Sequence, residues 1–195
     1  MKKFGFVLIV LSVLFLCAGC DIPNLKKEAA APPPEKPKHN VLVVCFSATG
    51  TTKSIGKRIA KMTGGTFYEI RPAKPYTTAD LDWHNPNSRS SREMKDEQCR
   101  PDLESDIIGF SDYDVIYMGY PIWWGEAPKI MYTFAERQKF TGKTVVSFCT
   151  SGSSPIGDSA KNLEKVAIGG MWLEGVRFGA HPTDAELQAL INTVK

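Results

Sequence analysis

The stretch Val41–Lys57, VLVVCFSATGTTKSIGK, constrains the fold more than any other part of the chain. Val41 to Phe46 is an unbroken apolar run rich in β-branched residues. Such a run suits a strand covered on both faces, as in a parallel sheet. Ser47 to Thr52 is a hydroxyl-rich turn, and Ile55, Ile59 and Met62 then recur at helical spacing, so a helix is expected to begin at about Thr51. Strand, polar turn and helix in that order build an anion site, because the first N–H groups of a helix lack intrahelical partners and carry partial positive charge. Ser47, Thr49, Thr51 and Thr52 add hydroxyl donors, and Gly50 lets the backbone approach an anion closely. This is not a Walker A loop, since Gly50 and Gly56 are separated by five residues and Lys57 is followed by Arg58. It is not a G-x-G-x-x-G turn either. The hydroxyls could simply cap the helix, but four of them within six residues exceed what one cap uses.

The chain of 195 residues is long enough for one domain with a full core. Its beginning reads as something else. Met1-Lys2-Lys3 is a short positive segment, and Phe4 to Leu16 is apolar but short for a membrane span. It ends at Cys17-Ala18-Gly19-Cys20, small residues before a cysteine. That order resembles a bacterial lipobox, with residues 1–19 a removable signal and Cys20 the lipidated new N-terminus. Cys17 stands where a lipobox usually has Leu, and a plain secretory signal is the alternative. Residues 20–39 hold Ala29 to Pro34 and alternating charges, which suits an extended tether. The expected placement is a bacterial membrane-anchored lipoprotein on the extracytoplasmic side, with residues 40–195 as the folded domain.

The formal charge of +3 belongs to these leading segments. Lys2, Lys3, Lys26, Lys27, Lys36 and Lys38 outnumber Asp21, Glu28 and Glu35 by that amount, so the chain from Asn40 onward is formally neutral. No basic run or stripe survives in it, which argues against nucleic acid as a partner. Cys45, Cys99 and Cys149 show no CxxC and no metal spacing. If Cys45 and Cys149 end the first and fourth strands with one strand between them, they stand about 9–10 Å apart, too far for a disulfide.

Further strands are expected at Thr66–Ile70, Val115–Met118, Thr144–Phe148 and within Met171–Phe178. Helices are expected from Pro128, from an Asp158 cap to about Val166, and from a Thr183 cap with Leu187, Leu190, Ile191 and Val194 on one face. Pro75 to Arg100 is long, polar and irregular, either a solvated surface segment with a short helix or in part a cover for a bound cofactor, and it holds Trp83, Arg89 and Arg92. Alternating strands and helices give an α/β doubly wound sheet, whose ligands bind beyond the carboxyl ends of the strands. Three loops follow strand ends: Ser47–Thr52, Pro121–Gly125 and Thr150–Ser154.

Ser47-Ala48-Thr49-Gly50-Thr51-Thr52 resembles the FMN phosphate loop of flavodoxins, Ser/Thr-x-Thr-Gly-x-Thr. Tyr120-Pro121-Ile122-Trp123-Trp124-Gly125 is similar to a motif of bacterial flavodoxin-like proteins. The likeness runs from about Val41 to the C-terminus. It implies a flavodoxin-like α/β fold, five parallel strands in order 2-1-3-4-5 with helices on both faces, and non-covalent FMN. It also implies roles for the loops. Ser47 to Thr52 would hold the phosphate. Pro121, Ile122, Trp123, Trp124 and Gly125 would bring an indole against the flavin ring, Trp124 by its position in the motif. Thr150, Ser151, Gly152 and Ser153 would meet the pyrimidine edge. Flavodoxins that only shuttle electrons commonly carry an aromatic in the third loop, which Thr150–Pro155 lacks. Three functions stay open: an FMN-dependent NAD(P)H oxidoreductase, an electron carrier serving a redox partner, and a flavin-free binding domain. No catalytic acid, base or nucleophile and no metal ligand stands out.

Overall fold

The computed structural model describes residues 39–194. The signal, the lipidation cysteine Cys20 and all but the last residue of the tether therefore lie outside the described residues. Five strands form one parallel sheet: β1 (Val41–Phe46), β2 (Thr66–Ile70), β3 (Val115–Pro121), β4 (Thr144–Thr150) and β5 (Met171–Phe178). Their order is β2-β1-β3-β4-β5, the flavodoxin-like order expected from the sequence. The helices are α1 (Thr51–Thr63), α2 (Arg89–Lys95), α3 (Lys129–Arg137), α4 (Ser159–Val166) and α5 (Asp184–Ile191).

The apolar runs are buried because both faces of the sheet are covered. Val43 and Cys45 of β1 point with Tyr117, Val146 and Phe148 into a core closed by Ile55 and Ile59 of α1 and by Leu187 and Leu190 of α5. Leu42, Val44 and Phe46 point the other way, with Ile116, Met118 and Tyr120, against Ile130 and Phe134 of α3 and Leu163 of α4. Alternation thus places successive strand residues in two cores. Each fully buried Val, Leu or Ile contributes about 1.5–3 kcal/mol.

Several expected boundaries move. β3 continues past Met118 to Pro121 and β4 past Phe148 to Thr150, because the two strands stay paired in register to their ends, Pro121 opposite Thr150. Cys45 and Cys149 consequently sit one residue inside their strands, both buried free thiols. Helix α5 stops at Ile191, so Val194 packs on the core from beyond it. Thr183 caps that helix in a capping box with Glu186. Asp158 precedes α4 without a side-chain cap bond.

At the β4–β5 ladder the pairing steps from Val146–Leu173 to Phe148–Val176. Two residues of β5, Glu174 and Gly175, thus stand opposite Ser147 alone, which is a β-bulge. The Ser147 hydroxyl beside it is fully buried without a hydrogen-bond partner among the described residues.

The β2–β3 connection is not a plain solvated loop. It carries a short 3₁₀ turn at Ala79–Leu81 and helix α2, whose Ser90, Ser91 and Glu93 are buried. No helix among the described residues is long and apolar enough to cross a membrane.

Candidate functional site

The three strand-end loops converge on one cavity of about 740 Å³. That is within the range of small-molecule sites, roughly 300–1,000 Å³. Of the expected residues, Ser47, Ala48, Thr49, Thr51 and Thr52 line it from the first loop, Pro121 to Trp124 from the second, and Thr150 to Gly152 from the third. Gly50, Gly125 and Ser153 do not line it. The lining also includes Leu81, Trp83, Ser90, Gly179 and Ala180. Of these, only Trp83 was a sequence expectation. Every side chain that lines the cavity is uncharged.

The first loop is shaped by its own atoms. The Gly50 N–H donates to Ser47 Oγ at 3.1 Å, which leaves the Ser47 proton free for another acceptor. Gly50 holds φ at 93°, a value that disfavours any residue with a Cβ. The first turn of α1 begins at once, with the Ser54 N–H donating to Gly50 O at 3.0 Å. Thr52 lines the cavity and has a structural task besides. It is only 1 % exposed, and its hydroxyl shares a hydrogen bond of 2.8 Å with that of Thr150. That bond fastens the first loop to the third.

The second loop closes as a tight turn. Trp123 and Glu126 exchange two backbone hydrogen bonds of 2.9 Å. Between them Trp124 has φ 51° and Gly125 φ 80°, the signs of a type I′ turn. Glycine suits such a position, whereas tryptophan does not. A left-handed conformation costs a residue with a Cβ about 1–2 kcal/mol. The two indoles part here. Trp124 is 51 % exposed. Trp123 is half-buried, edge-on to Phe46 at 5.6 Å and to Tyr76 at 5.4 Å between ring centroids. Glu126 steadies the turn by accepting from Asn162 Nδ2 of α4 at 2.6 Å.

The third loop is held from the edge strand. Arg177 of β5 donates to Ser151 Oγ at 3.0 Å, Ser151 O at 2.8 Å and Gly152 O at 2.6 Å. Sequence reading missed this clamp, since one arginine on an edge strand looks like any solvated charge. Burial pushes the Cys149 thiol up to about 12, although the Arg177 charge pulls it down, so it stays a neutral packing group.

A sequence profile of the flavodoxin family matches residues 40–194. The chain belongs to the flavodoxin family. Within the solved structures, a candidate flavoprotein from Bacteroides eggerthii is 44 % identical, with a TM-score of 0.75, covering 80 % of this chain and 98 % of that one. Another, from Bacteroides uniformis, is 47 % identical with a TM-score of 0.74, covering 78 % and 97 %. A Lactobacillus acidophilus flavoprotein solved in complex with FMN is 20 % identical, with a TM-score of 0.59, covering 78 % and 99 %. At that identity the likeness concerns the flavodoxin fold alone. No curated protein matches the chain.

Proposed function

We propose that the chain binds FMN non-covalently in this cavity and works as an FMN-dependent oxidoreductase at a membrane surface. The observation that carries the reading is the convergence of three strand-end loops on one cavity, with the first loop opening directly into α1. The residues present fit FMN. A phosphate would be met by the free N–H groups at the start of α1 and by the Ser47, Thr49 and Thr51 hydroxyls. The indoles of the second loop supply aromatic surface for a ring. The third loop supplies backbone groups held in place by Arg177. FMN, when bound, supplies the redox chemistry, and the protein sets its orientation and surroundings.

A reductase suits the cavity better than a carrier does. The third loop brings no aromatic to cover a second ring face, and Trp83, which lines the cavity, is 67 % exposed. The open ring face leaves room for a nicotinamide or a quinone. Anchoring by a lipid on Cys20 rests on the sequence alone: a positive start, an apolar segment and Ala18-Gly19-Cys20 before a proline-rich tether.

Full-length protein loaded with FMN should release the yellow cofactor into the supernatant on acid precipitation. A colourless protein that takes up no added FMN overturns the reading. Anaerobic titration of the loaded protein with NADH and NADPH, followed by a neutral quinone, tests the reaction. Turnover with the quinone supports a reductase, whereas exchange of electrons with protein partners alone supports a carrier. Expressed in a bacterium that processes lipoproteins, Cys20→Ala should leave an uncleaved precursor without lipid label. A wild-type chain without lipid overturns the anchor.

A further inference from the structure

Behind two cavity-lining residues, Trp123 and Ser90, sits a polar cluster that the flavin reading does not use. Tyr76 donates its hydroxyl proton to the Glu93 carboxylate. Arg89 Nε donates to the other Glu93 oxygen at 2.6 Å, and Arg89 Nη1 to the Lys74 carbonyl at 2.6 Å. The Arg89 guanidinium also lies over the Tyr76 ring, 4.1 Å from its centroid. Glu93 is buried, and the Arg89 and Glu93 side chains are only 15 % and 10 % exposed. A buried pair of this kind is costly unless its hydrogen bonds are completed, and here Tyr76 and Lys74 complete them.

The cluster ends on the cavity. The Tyr76 ring meets Trp123 at 5.4 Å with the planes at 86°, and meets Phe46 at 5.8 Å. Phe46 and Trp123 meet at 5.6 Å and 85°. Three rings thus brace one another where β1 ends, where the β2–β3 segment begins and where the second loop turns. Phe46 is fixed in the core, but Tyr76 lies on an irregular segment. What fixes Tyr76 is the hydroxyl on Glu93 and the cation on its ring. Ser90, one residue from Arg89 on the same helix, lines the cavity itself.

We infer that Tyr76, Arg89 and Glu93 are positioning residues that set the orientation of Trp123 towards bound FMN. The inference rests on the flavin reading of the cavity. None of the three lines the cavity, so they act through Trp123 rather than on the ligand. The consequence is that losing one oxygen atom, in Tyr76→Phe, changes how FMN is held although the ring itself remains.

The test is a double-mutant cycle on the full chain, read by FMN affinity and by the visible circular dichroism of bound FMN at saturation. The band reports the asymmetric surroundings of the flavin and is not moved by a uniform loss of stability. Tyr76→Phe and Glu93→Gln should each weaken FMN threefold or more and alter the band. In a Trp123→Leu background, the same Tyr76→Phe change should shift affinity by less than twofold, because the residue it acts through is gone. Equal losses in both backgrounds, or a Tyr76→Phe protein with wild-type affinity and band, overturn the inference. If Glu93→Gln fails to fold, Tyr76→Phe carries the test alone. A wild-type chain that takes up no FMN is a different failure, that of the flavin reading itself.

Discussion

The first and third loops are made of the same materials and are held by different means. Each follows a buried parallel strand, each is rich in Ser, Thr and Gly, and each lines the same cavity. The first runs straight into a helix at Thr51, and its geometry depends on Gly50 at φ 93°. The third crosses Ser151 to Asp158 before α4 begins, and its geometry depends on a guanidinium from the neighbouring strand. Hydroxyl-rich composition alone therefore does not define an anion site. A helix beginning at the end of a loop offers free N–H groups to an anion, whereas an arginine turned onto a loop's carbonyls occupies those carbonyls.

The largest expected effect comes from cutting the bond between the two loops. Thr52→Val strips the partner from the buried Thr150 hydroxyl, at a cost of about 1–3 kcal/mol. The melting temperature should fall by several degrees, since each kcal/mol is worth roughly 2–4 °C in a chain of this size. An unchanged melting temperature would show that the loops are fastened independently.

Next comes a pair of glycine substitutions that should separate the loops. A Cβ at Gly50 meets nothing within 4 Å, so Gly50→Ala is opposed by backbone strain alone. It should destabilise the chain by about 1–2 kcal/mol and weaken FMN. A Cβ at Gly152 also meets nothing within 4 Å, and Gly152 needs no positive φ. Gly152→Ala should be neutral or stabilising by about 0.4–1 kcal/mol, through the unfolded chain. Denaturant titration of both variants checks the contrast, and equal losses would erase it.

Arg177→Met should act on the third loop only. Loss of the clamp should weaken FMN by roughly two- to tenfold, with a melting temperature close to wild type in the unloaded protein. A collapse of the fold instead would make Arg177 part of the core framework.

The smallest effect is a difference in acid sensitivity. Burial raises the Glu69 carboxyl pKa, but hydrogen bonds and charge from Lys53 and Arg71 outweigh it and hold the group below its ordinary value. Lys53 lies in the first turn of α1, 2.8 Å from Glu69. A depressed carboxylate stabilises the fold above its unfolded pKa, and that contribution fades as pH falls through the folded one. Glu69→Gln should therefore be less stable than wild type near neutrality, with the gap closing in acid. Arg177 engages only a hydroxyl and carbonyls, so the stability of unloaded Arg177→Met should track wild type over the same range.

The sheet was legible because its signals are local. Val41–Phe46 is apolar without interruption, and Thr183 stands as a cap before the last helix. The three loops were legible as strand exits. What the sequence concealed are contacts between distant residues: Thr52 with Thr150, Arg177 with Ser151, and Tyr76 with Glu93. None has a periodic pattern, and each pairs residue types that look solvated or loop-like on their own. A short helix was foreseen in the Pro75 to Arg100 segment, but not its burial, since Ser90, Ser91 and Glu93 are polar and the distant partner of Glu93 is Tyr76. The left-handed φ of Trp124 was concealed too, because tryptophan gives no hint of it.

The bulge at Glu174–Gly175 carries a lesson about ancestry. An added residue in a strand ordinarily turns every later side chain to the opposite face. Here the bulge absorbs it, so Phe178 still enters the core under α1 and α5 while Arg177 still reaches the third loop. Strand length and side-chain parity are thereby uncoupled at this one point. A relative one residue shorter between Leu173 and Val176 can keep both downstream partners, and the gap in any alignment of the two belongs there. A length change after Val176 has no such refuge, and would separate the arginine from the loop it holds.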